Sequence, residues 1–189
     1  KVLDNAVAVI ANTTWVAQKA VEDMDVQWDL PEGDLFSTKK AIGEYSSLFD
    51  HDNVNVLKED ETFAKVWEGS DKVIEAVYET PYLAHVCMEP MGCTALYEKS
   101  PTNYPEDARI TLWSPSQSIG QTASQASSIT GIKKENITVN ATLMGGGFGR
   151  RADMDFVRQA SEIAMQMPGT PIKMTWSREE DVRQDTYRP

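Results

Sequence analysis

The hydrophobic positions along the chain follow two spacings, which predict strands and helices in alternation. A two-residue repeat of β-branched and aromatic side chains predicts strands, and a repeat of three to four residues predicts amphipathic helices. The predicted strands are 6–11, 26–28, 73–83, 94–98, 109–113, 137–143 and 171–176. The predicted helices follow Thr13 or Thr14, span 37–49 and 115–131, and run from the glycine-rich segment to about 167, with one further turn at 62–67. This alternation predicts a mixed α/β (α+β) fold.

Breaker residues divide this pattern near residue 30. Residues 30–34 (LPEGD) interrupt both spacings, so we expect one region at 1–30 and a second at 31–189. The polar segment 50–55 predicts a loop. Because the chain starts at Lys1 without a signal-peptide pattern, and ends just after a charged turn, we expect both ends to be internal to a longer protein.

Composition and charge exclude several classes of function. The formal net charge of −11 over 189 residues opposes broad contact with a nucleic-acid backbone, which requires clustered lysine and arginine. No apolar run has the roughly 18 residues that a membrane helix needs. With two cysteines, Cys87 and Cys93, the chain alone supplies neither a disulfide framework nor a four-cysteine zinc or iron–sulfur site. We therefore expect a globular protein without nucleic acid or a membrane span, whose redox centre, if any, is a bound cofactor.

The glycine-rich segment Gly145-Gly146-Gly147-Phe148-Gly149 lies between a predicted strand and a predicted helix. Glycines allow positive φ angles and close backbone approach, and successive N–H groups at such a loop bind anionic or oxo groups. Arg150 stands where a dinucleotide-binding fingerprint has its last glycine, and the P-loop ending is missing as well. A ligand-binding loop and a tight structural turn both remain open from this segment alone.

Three further groups of polar residues allow two interpretations each. Arg150 and Arg151 either bind a phosphate group or pair with nearby carboxylates such as Asp153 and Asp155. Gln117, at the entry to a predicted helix, either caps backbone groups or donates its NH₂ to a ligand oxygen. The third group shares one face of an extended segment and either ligates a metal or packs structurally. It consists of His85, Cys87 and Glu89.

Four segments, taken in order, resemble the molybdenum hydroxylases of the xanthine dehydrogenase and aldehyde oxidase family. Within that family they are most similar to the large (beta) subunits of isoquinoline 1-oxidoreductases. The segments are AHVCMEPMGCTA at 84–95, WSPSQ at 113–117, GGGFGRR at 145–151 and TWSREED at 175–181. The resemblance implies that 31–189 is the first part of a molybdopterin-binding domain. It also implies that 1–30 is the end of a hammerhead-like domain.

The resemblance implies a pterin-bound molybdenum, in the cytosine dinucleotide form, with no direct protein ligand to the metal. Gln117 matches the glutamine that hydrogen-bonds the molybdenum oxo ligand, and the glycine loop matches the segment that contacts the cofactor. The cofactor-binding residues implied are Gln117, Gly146, Gly147, Phe148, Gly149 and Arg150. The implied reaction is hydroxylation of an aromatic N-heterocycle or oxidation of an aldehyde with oxygen from water. Its electrons pass to 2Fe-2S clusters on a small partner subunit.

Two departures from the family pattern narrow these expectations. Purine-oxidising members have a glutamate where this chain has Ala152, which argues against a purine substrate. The general-base glutamate of the family belongs to a C-terminal segment outside this chain, so the chain alone is expected to be inactive. The compartment stays open between cytoplasm and periplasm, with the periplasm favoured. The alternatives are a descendant without cofactor and a nucleotide- or phosphate-binding module that uses the glycine loop.

Overall fold

The fold comes from a computed structural model, which describes residues 1–3, 6–29, 32–33, 35–50 and 55–188. The chain divides into two compact units, one formed by 1–27 with 84–188 and the other by 28–83. The predicted breaker cluster at 30–34 and the predicted loop at 50–55 lie largely outside the described residues. The assignment of 1–30 to a hammerhead-like domain stays a prediction.

A four-stranded mixed sheet forms the centre of the larger unit, with the strand order β3-β2-β1-β4. The strands are β1 (Gly92–Glu98), β2 (Arg109–Ser114), β3 (Ile137–Ala141) and β4 (Ile172–Thr175). Strand β1 is antiparallel to both of its neighbours, β2 and β4, whereas β2 and β3 are parallel. A parallel pair needs a crossover connection, and the helix between β2 and β3 supplies it.

The helices, in chain order, are α1 (Thr14–Glu22), α2 (Thr38–Ser47), α3 (Phe63–Glu68), α4 (Ile119–Thr130), α5 (Asp155–Met165) and α6 (Arg178–Arg183). Helices α4 and α5 pack against each other and against the sheet. Helix α4 ends at Gly131, whose φ of 72° is the left-handed conformation that glycine adopts without steric cost. Among the described residues, no helix is long and apolar enough to span a bilayer.

The hydrophobic core lies between the sheet and these two helices. Alternate residues of β2, Ile110 and Leu112, are completely buried, because successive strand side chains point to opposite faces. Helix α5 contributes Phe156, Val157 and Ala160, which the three- to four-residue repeat predicts for one buried face. The mixed α/β fold is therefore confirmed, and the predicted strands at 94–98, 109–113, 137–143 and 171–176 are found with slightly different ends.

Three of the predicted strands are wrong. Residues 26–28 are not a strand, and the run at 6–11 forms only one isolated bridge, between Val2 and Val7. The alternating segment 73–83 is irregular, and Ile74 and Val77 are exposed by 81% and 80%. A strand requires a partner backbone as well as an alternating pattern, and in the described part of the chain this segment joins no sheet and has a bridge position only at Leu83.

Both cysteines are buried, and we expect neither to react in the native protein. Burial raises the pKa of Cys93 to about 12, and burial is also the main cause that raises the pKa of Cys87. Because both pKa values are raised, the two thiols are mainly protonated at pH 8, and a protonated thiol is a poor nucleophile. In native full-length protein treated with iodoacetamide at that pH, the peptides carrying Cys87 and Cys93 should stay unmodified by mass spectrometry. The same peptides from urea-unfolded protein provide the control, and rapid native alkylation would contradict this burial.

Candidate functional site

The sheet topology brings four sequence-distant segments to one edge. Strands β2 and β3 are parallel and end in register, with Ser114 opposite Ala141, so the segments that follow them leave the sheet side by side. Strand β1 begins at this edge and β4 ends there, because Gly92 pairs with Thr175 in an antiparallel ladder. In open α/β sheets, ligands bind outside the carboxyl ends of parallel strands. The glycine loop (145–149) and Gln117 both lie at this edge.

The glycine loop has an unusual backbone with unused hydrogen-bond donors. Gly146 and Gly149 have φ angles of 102° and 101°, which glycine tolerates and other residues do not. Phe148 also has a positive φ, of 52°, and its side chain is 70% exposed. Among the described residues, no acceptor is found for the successive backbone N–H groups of 146, 147 and 148. The loop therefore has three adjacent donors without a partner among the described residues, which suits a ligand with acceptor oxygens.

Gln117 holds the glycine loop through one end of its carboxamide. Its Oε1 accepts hydrogen bonds from the backbone N–H groups of Gly149 at 3.1 Å and Arg151 at 3.2 Å. The carboxamide oxygen of Gln117 therefore caps two backbone N–H groups, and these belong to the segment at 149–151. Because both contacts are N–H donors, the atom that they bind is the oxygen, and the other carboxamide atom is Nε2. No acceptor for Nε2 is found among the described residues. The NH₂ group remains available to a ligand.

At two positions of the loop only glycine fits, because side chains from other segments lie too close for a Cβ atom. A Cβ on Gly147 would lie 2.8 Å from Oε1 of Gln117, and a Cβ on Gly145 would lie 2.5 Å from Cβ of Glu89. Both distances are below normal contact, so a side chain at either position would displace its neighbour. The loop and the two side chains beside it thus form one packed arrangement.

Arg151 is fully buried beneath the loop and connects it to Glu89. Its Nε donates to the carbonyl of Gly146 at 2.6 Å, and its Nη2 donates to the backbone and side-chain oxygens of Glu89 at 2.8 and 2.9 Å. The same carboxylate accepts from the N–H of Gly145 at 2.9 Å. Arg151 Nη1 is buried without a hydrogen-bond partner in the part of the chain that the structure describes. Arg151 is therefore a support of the loop.

Arg150 is buried as well, and carboxylates surround it. Its Nη1 and Nη2 donate to the two oxygens of Asp155 at 3.1 and 2.7 Å, and Nε lies 3.2 Å from Asp185 Oδ1. This last contact is an ion pair without a hydrogen bond. Burial opposes the charge, but the hydrogen bonds and attraction from Asp155, with Asp185 and Asp153, outweigh it and raise the pKa of Arg150. The carboxylate-pairing alternative is therefore observed, and a cofactor contact by Arg150 stays a prediction.

The three residues considered as a metal site have separate partners. His85 Nδ1 lies 2.9 Å from Asp185 Oδ1, and Cys87 Sγ donates to the carbonyl of Gly147 at 3.4 Å. Glu89 pairs with Arg151. Among the described residues, no cluster of three potential ligands is found. All three side chains instead contact the glycine loop or the residues that support it.

Two supporting residues were missed by the sequence analysis. Asp185 interacts with His85 across 100 positions of sequence, and Arg178 reaches back to the carbonyls of Cys87 and Met88 at 2.6 and 2.8 Å. Local spacing carries no signal for contacts of this range. The only indication was that Arg178 belongs to one of the four recognised segments.

Comparisons with known protein families and sequences find molybdopterin- and molybdenum-binding relatives. The family described as "Molybdopterin cofactor-binding domain" matches residues 48–189. The chain is 25% identical to the xanthine dehydrogenase molybdenum-binding subunit of Escherichia coli O157:H7, over 94% of this chain and 23% of that protein. It is 26% identical to the isoquinoline 1-oxidoreductase subunit beta of Brevundimonas diminuta, over 98% and 24%. The chain thus spans about a quarter of the length of these relatives.

Solved structures share the fold at lower sequence identity. Quinoline 2-oxidoreductase from Pseudomonas putida 86 superposes with a TM-score of 0.64 at 19% identity, covering 95% of this chain and 22% of that one. A copper- and molybdenum-containing CO dehydrogenase gives a TM-score of 0.62 at 19% identity, covering 92% and 23%. Since the family matches well over half of the sequence, the chain belongs to the molybdopterin cofactor-binding domain family.

Proposed function

We propose that this chain is part of the cofactor-binding subunit of a molybdenum hydroxylase, and that Gln117 and the glycine loop hold its molybdopterin cofactor. The observation that carries this proposal is the set of unused donors at one sheet edge. They are Nε2 of Gln117 and the backbone N–H groups of Gly146, Gly147 and Phe148. The family match and relatives named as xanthine dehydrogenase molybdenum-binding subunits support it.

These residues fit the group that the family implies. A molybdenum centre of this kind carries oxo ligands and a pterin with a phosphate, all of which accept hydrogen bonds. The loop offers donors without a bulky side chain, because a Cβ at 145 or 147 would collide with Glu89 or Gln117. The buried Arg150 and Arg151 add positive charge beneath it, although both are paired with carboxylates. The site therefore recognises an oxygen-rich ligand mainly through hydrogen bonds.

The protein contributes orientation in this proposal. When bound, the molybdenum cofactor supplies the redox centre at which a carbon atom is oxidised with oxygen from water. Two loop amides already hold Oε1 of Gln117 in place. Its side chain therefore loses little further conformational freedom when the NH₂ group binds the cofactor. Arg151 and Glu89 hold the loop from below, which keeps its open amides in place.

The finer assignment of the proposed enzyme follows from the family resemblance. We place it with the isoquinoline 1-oxidoreductase type, acting on an aromatic N-heterocycle or an aldehyde, and Ala152 argues against purines. We further propose the cytosine dinucleotide form of the cofactor, a small subunit with 2Fe-2S clusters as the electron-accepting partner, and a periplasmic location. The similarity to an isoquinoline 1-oxidoreductase subunit over 98% of the chain supports the enzyme type, and a probable xanthine dehydrogenase subunit of Bacillus subtilis matches to the same extent.

We predict that Gly147→Ala reduces cofactor loading of the full-length protein by about 10-fold or more. The new methyl group would overlap Gln117 Oε1, so the carboxamide must leave the amides of Gly149 and Arg151. Molybdenum per polypeptide, measured by elemental mass spectrometry, reports the effect. Gly120→Ala is the matched control, because a Cβ at that helical position meets no atom within 4 Å. Equal loading of both variants would contradict the proposed geometry.

The proposed function is tested by purifying the full-length protein with its small subunit from its native host. Elemental analysis and pterin fluorescence should find molybdenum and a pterin dinucleotide, each near one equivalent. Turnover of N-heterocycles and aldehydes should then depend on this loading. A mature complex that contains neither group would overturn the proposal in favour of a descendant without cofactor.

A further inference from the structure

His85 lies in the segment that enters β1, and only one of its ring nitrogens has a partner. The side chain is 9% exposed, and Nδ1 lies 2.9 Å from Asp185 Oδ1. The backbone N–H of His85 donates to the second oxygen of the same carboxylate. No hydrogen bond to Nε2 is found among the described residues. A histidine that is nine-tenths buried thus keeps one nitrogen unused.

The surroundings of Asp185 determine which ring nitrogen carries the proton. Its side chain is 2% exposed, and its Oδ1 lies 3.2 Å from the guanidinium Nε of Arg150. A carboxylate only accepts hydrogen bonds, so the ring nitrogen that faces it acts as the donor. The tautomer that fits this contact carries its proton on Nδ1 of His85. In this tautomer Nε2 has a lone pair and acts as an acceptor.

The free nitrogen lies against the glycine loop. A Cβ placed on Gly149 would be 3.6 Å from Nε2 of His85, which is ordinary van der Waals contact. Gly149 follows Phe148 and donates to Gln117. The loop therefore has donors from Gln117 and its own backbone, and one acceptor from His85 on a neighbouring segment.

The backbone next to His85 is strained and is held on both sides. Val86 has a φ of 45°, which is rare for a β-branched residue. On one side Asp185 binds His85, and on the other Arg178 Nη2 donates to the carbonyls of Cys87 and Met88. Strain of this kind persists where surrounding contacts enforce it, and such positions cluster at ligand sites. The positive φ of Val86 therefore indicates that contacts with Asp185 and Arg178 impose the backbone conformation next to His85.

We infer that His85 is an additional cofactor contact, whose Nε2 accepts a hydrogen bond from an N–H or O–H group of the molecule held by the glycine loop. Asp185 acts as its positioning residue by fixing the tautomer and the direction of the ring. Pterins carry ring and amino N–H groups, which match an acceptor. This inference rests on the proposed function, since it requires that the loop binds the cofactor.

Two variants of His85 separate the two ring nitrogens in the full-length protein with its small subunit. His85→Asn retains an N–H donor near the position of Nδ1 for Asp185 but has no atom at Nε2. His85→Gln extends its amide toward the position of Nε2. We expect about a 10-fold loss of molybdenum and pterin per polypeptide in H85N and a loss within about threefold in H85Q. Circular dichroism and soluble yield check that both variants fold.

The outcomes distinguish the inference from the function on which it rests. Loading of H85N equal to that of wild type, or equal losses in both variants, would overturn the cofactor contact and leave His85 a packing role. A mature wild type without molybdenum would overturn the proposed function and this inference with it. A structure of the loaded wild type tests the contact without substitution. Nε2 within about 3.2 Å of a cofactor nitrogen or oxygen supports it, and a separation above roughly 4 Å contradicts it.

Discussion

Replacing Gln117 by alanine in the full-length enzyme is expected to lower both molybdenum content and turnover by about 10- to 100-fold. The substitution removes the acceptor for the N–H groups of Gly149 and Arg151, so the glycine loop loses a fixed contact. It also removes the free Nε2, which we assign to the cofactor. Elemental analysis and steady-state kinetics on the same preparation separate loss of loading from loss of activity per molybdenum.

A second variant separates the two ends of the carboxamide. Gln117→Glu keeps an oxygen for the two loop amides but has no NH₂ donor. Hydrogen exchange at Gly149 and Arg151 should therefore remain slow while cofactor loading falls. Gln121→Ala, an exposed substitution in the first turn of α4, is the matched control and should behave as wild type. Unchanged molybdenum content and turnover in Gln117→Ala would refute the assigned role.

Removal of the buried carboxylate Asp185 is expected to destabilise the full-length protein by about 3–5 kcal/mol. Asp185→Ala leaves the guanidinium of Arg150, which is 1% exposed, with one carboxylate fewer in a buried position. His85 loses its Nδ1 partner at the same time. Urea unfolding of the full-length protein, followed by circular dichroism, measures the change in its free energy of unfolding.

Two comparisons show whether this effect arises from the buried charge. Glu22→Ala removes one partner of the exposed pair Lys19–Glu22, whose side chains are 49% and 61% exposed, and should cost less than about 1 kcal/mol. The double variant Asp185→Ala/Arg150→Met removes both buried charges and should be more stable than Asp185→Ala alone. If Asp185→Ala lowered the free energy of unfolding no more than Glu22→Ala, the contacts of Asp185 with His85 and Arg150 would not stabilise the protein.

The central fold was predictable because its signals are local. Alternation over a few residues identified the four strands of the sheet, and helical spacing with Gly131 as a stop identified α4. The same local pattern at 73–83 gave a wrong strand. Alternation describes which side chains share a face, but it does not provide the partner backbone on which a strand depends.

The candidate site was predictable only in part. The glycine loop and Gln117 stand out in short stretches of sequence, each with its own chemistry. Their convergence results from the parallel pairing of β2 with β3, which no short stretch encodes. The contacts of Asp185 with His85 and Arg150 were not predictable, because they connect residues far apart in sequence and depend on where α6 ends. The pairing of Arg150 with Asp155 and Asp185 likewise depends on the three-dimensional structure, because sequence spacing alone did not select it.

The most direct test of the central claim is a structure of the loaded full-length enzyme at a resolution that shows the cofactor. We predict cofactor density at the edge where β2 and β3 end, with Nε2 of Gln117 within about 3.2 Å of a cofactor oxygen and the amides of 146–148 facing the cofactor. Cofactor density bound elsewhere, with Gln117 and the glycine loop contacting only protein and water, would contradict the account.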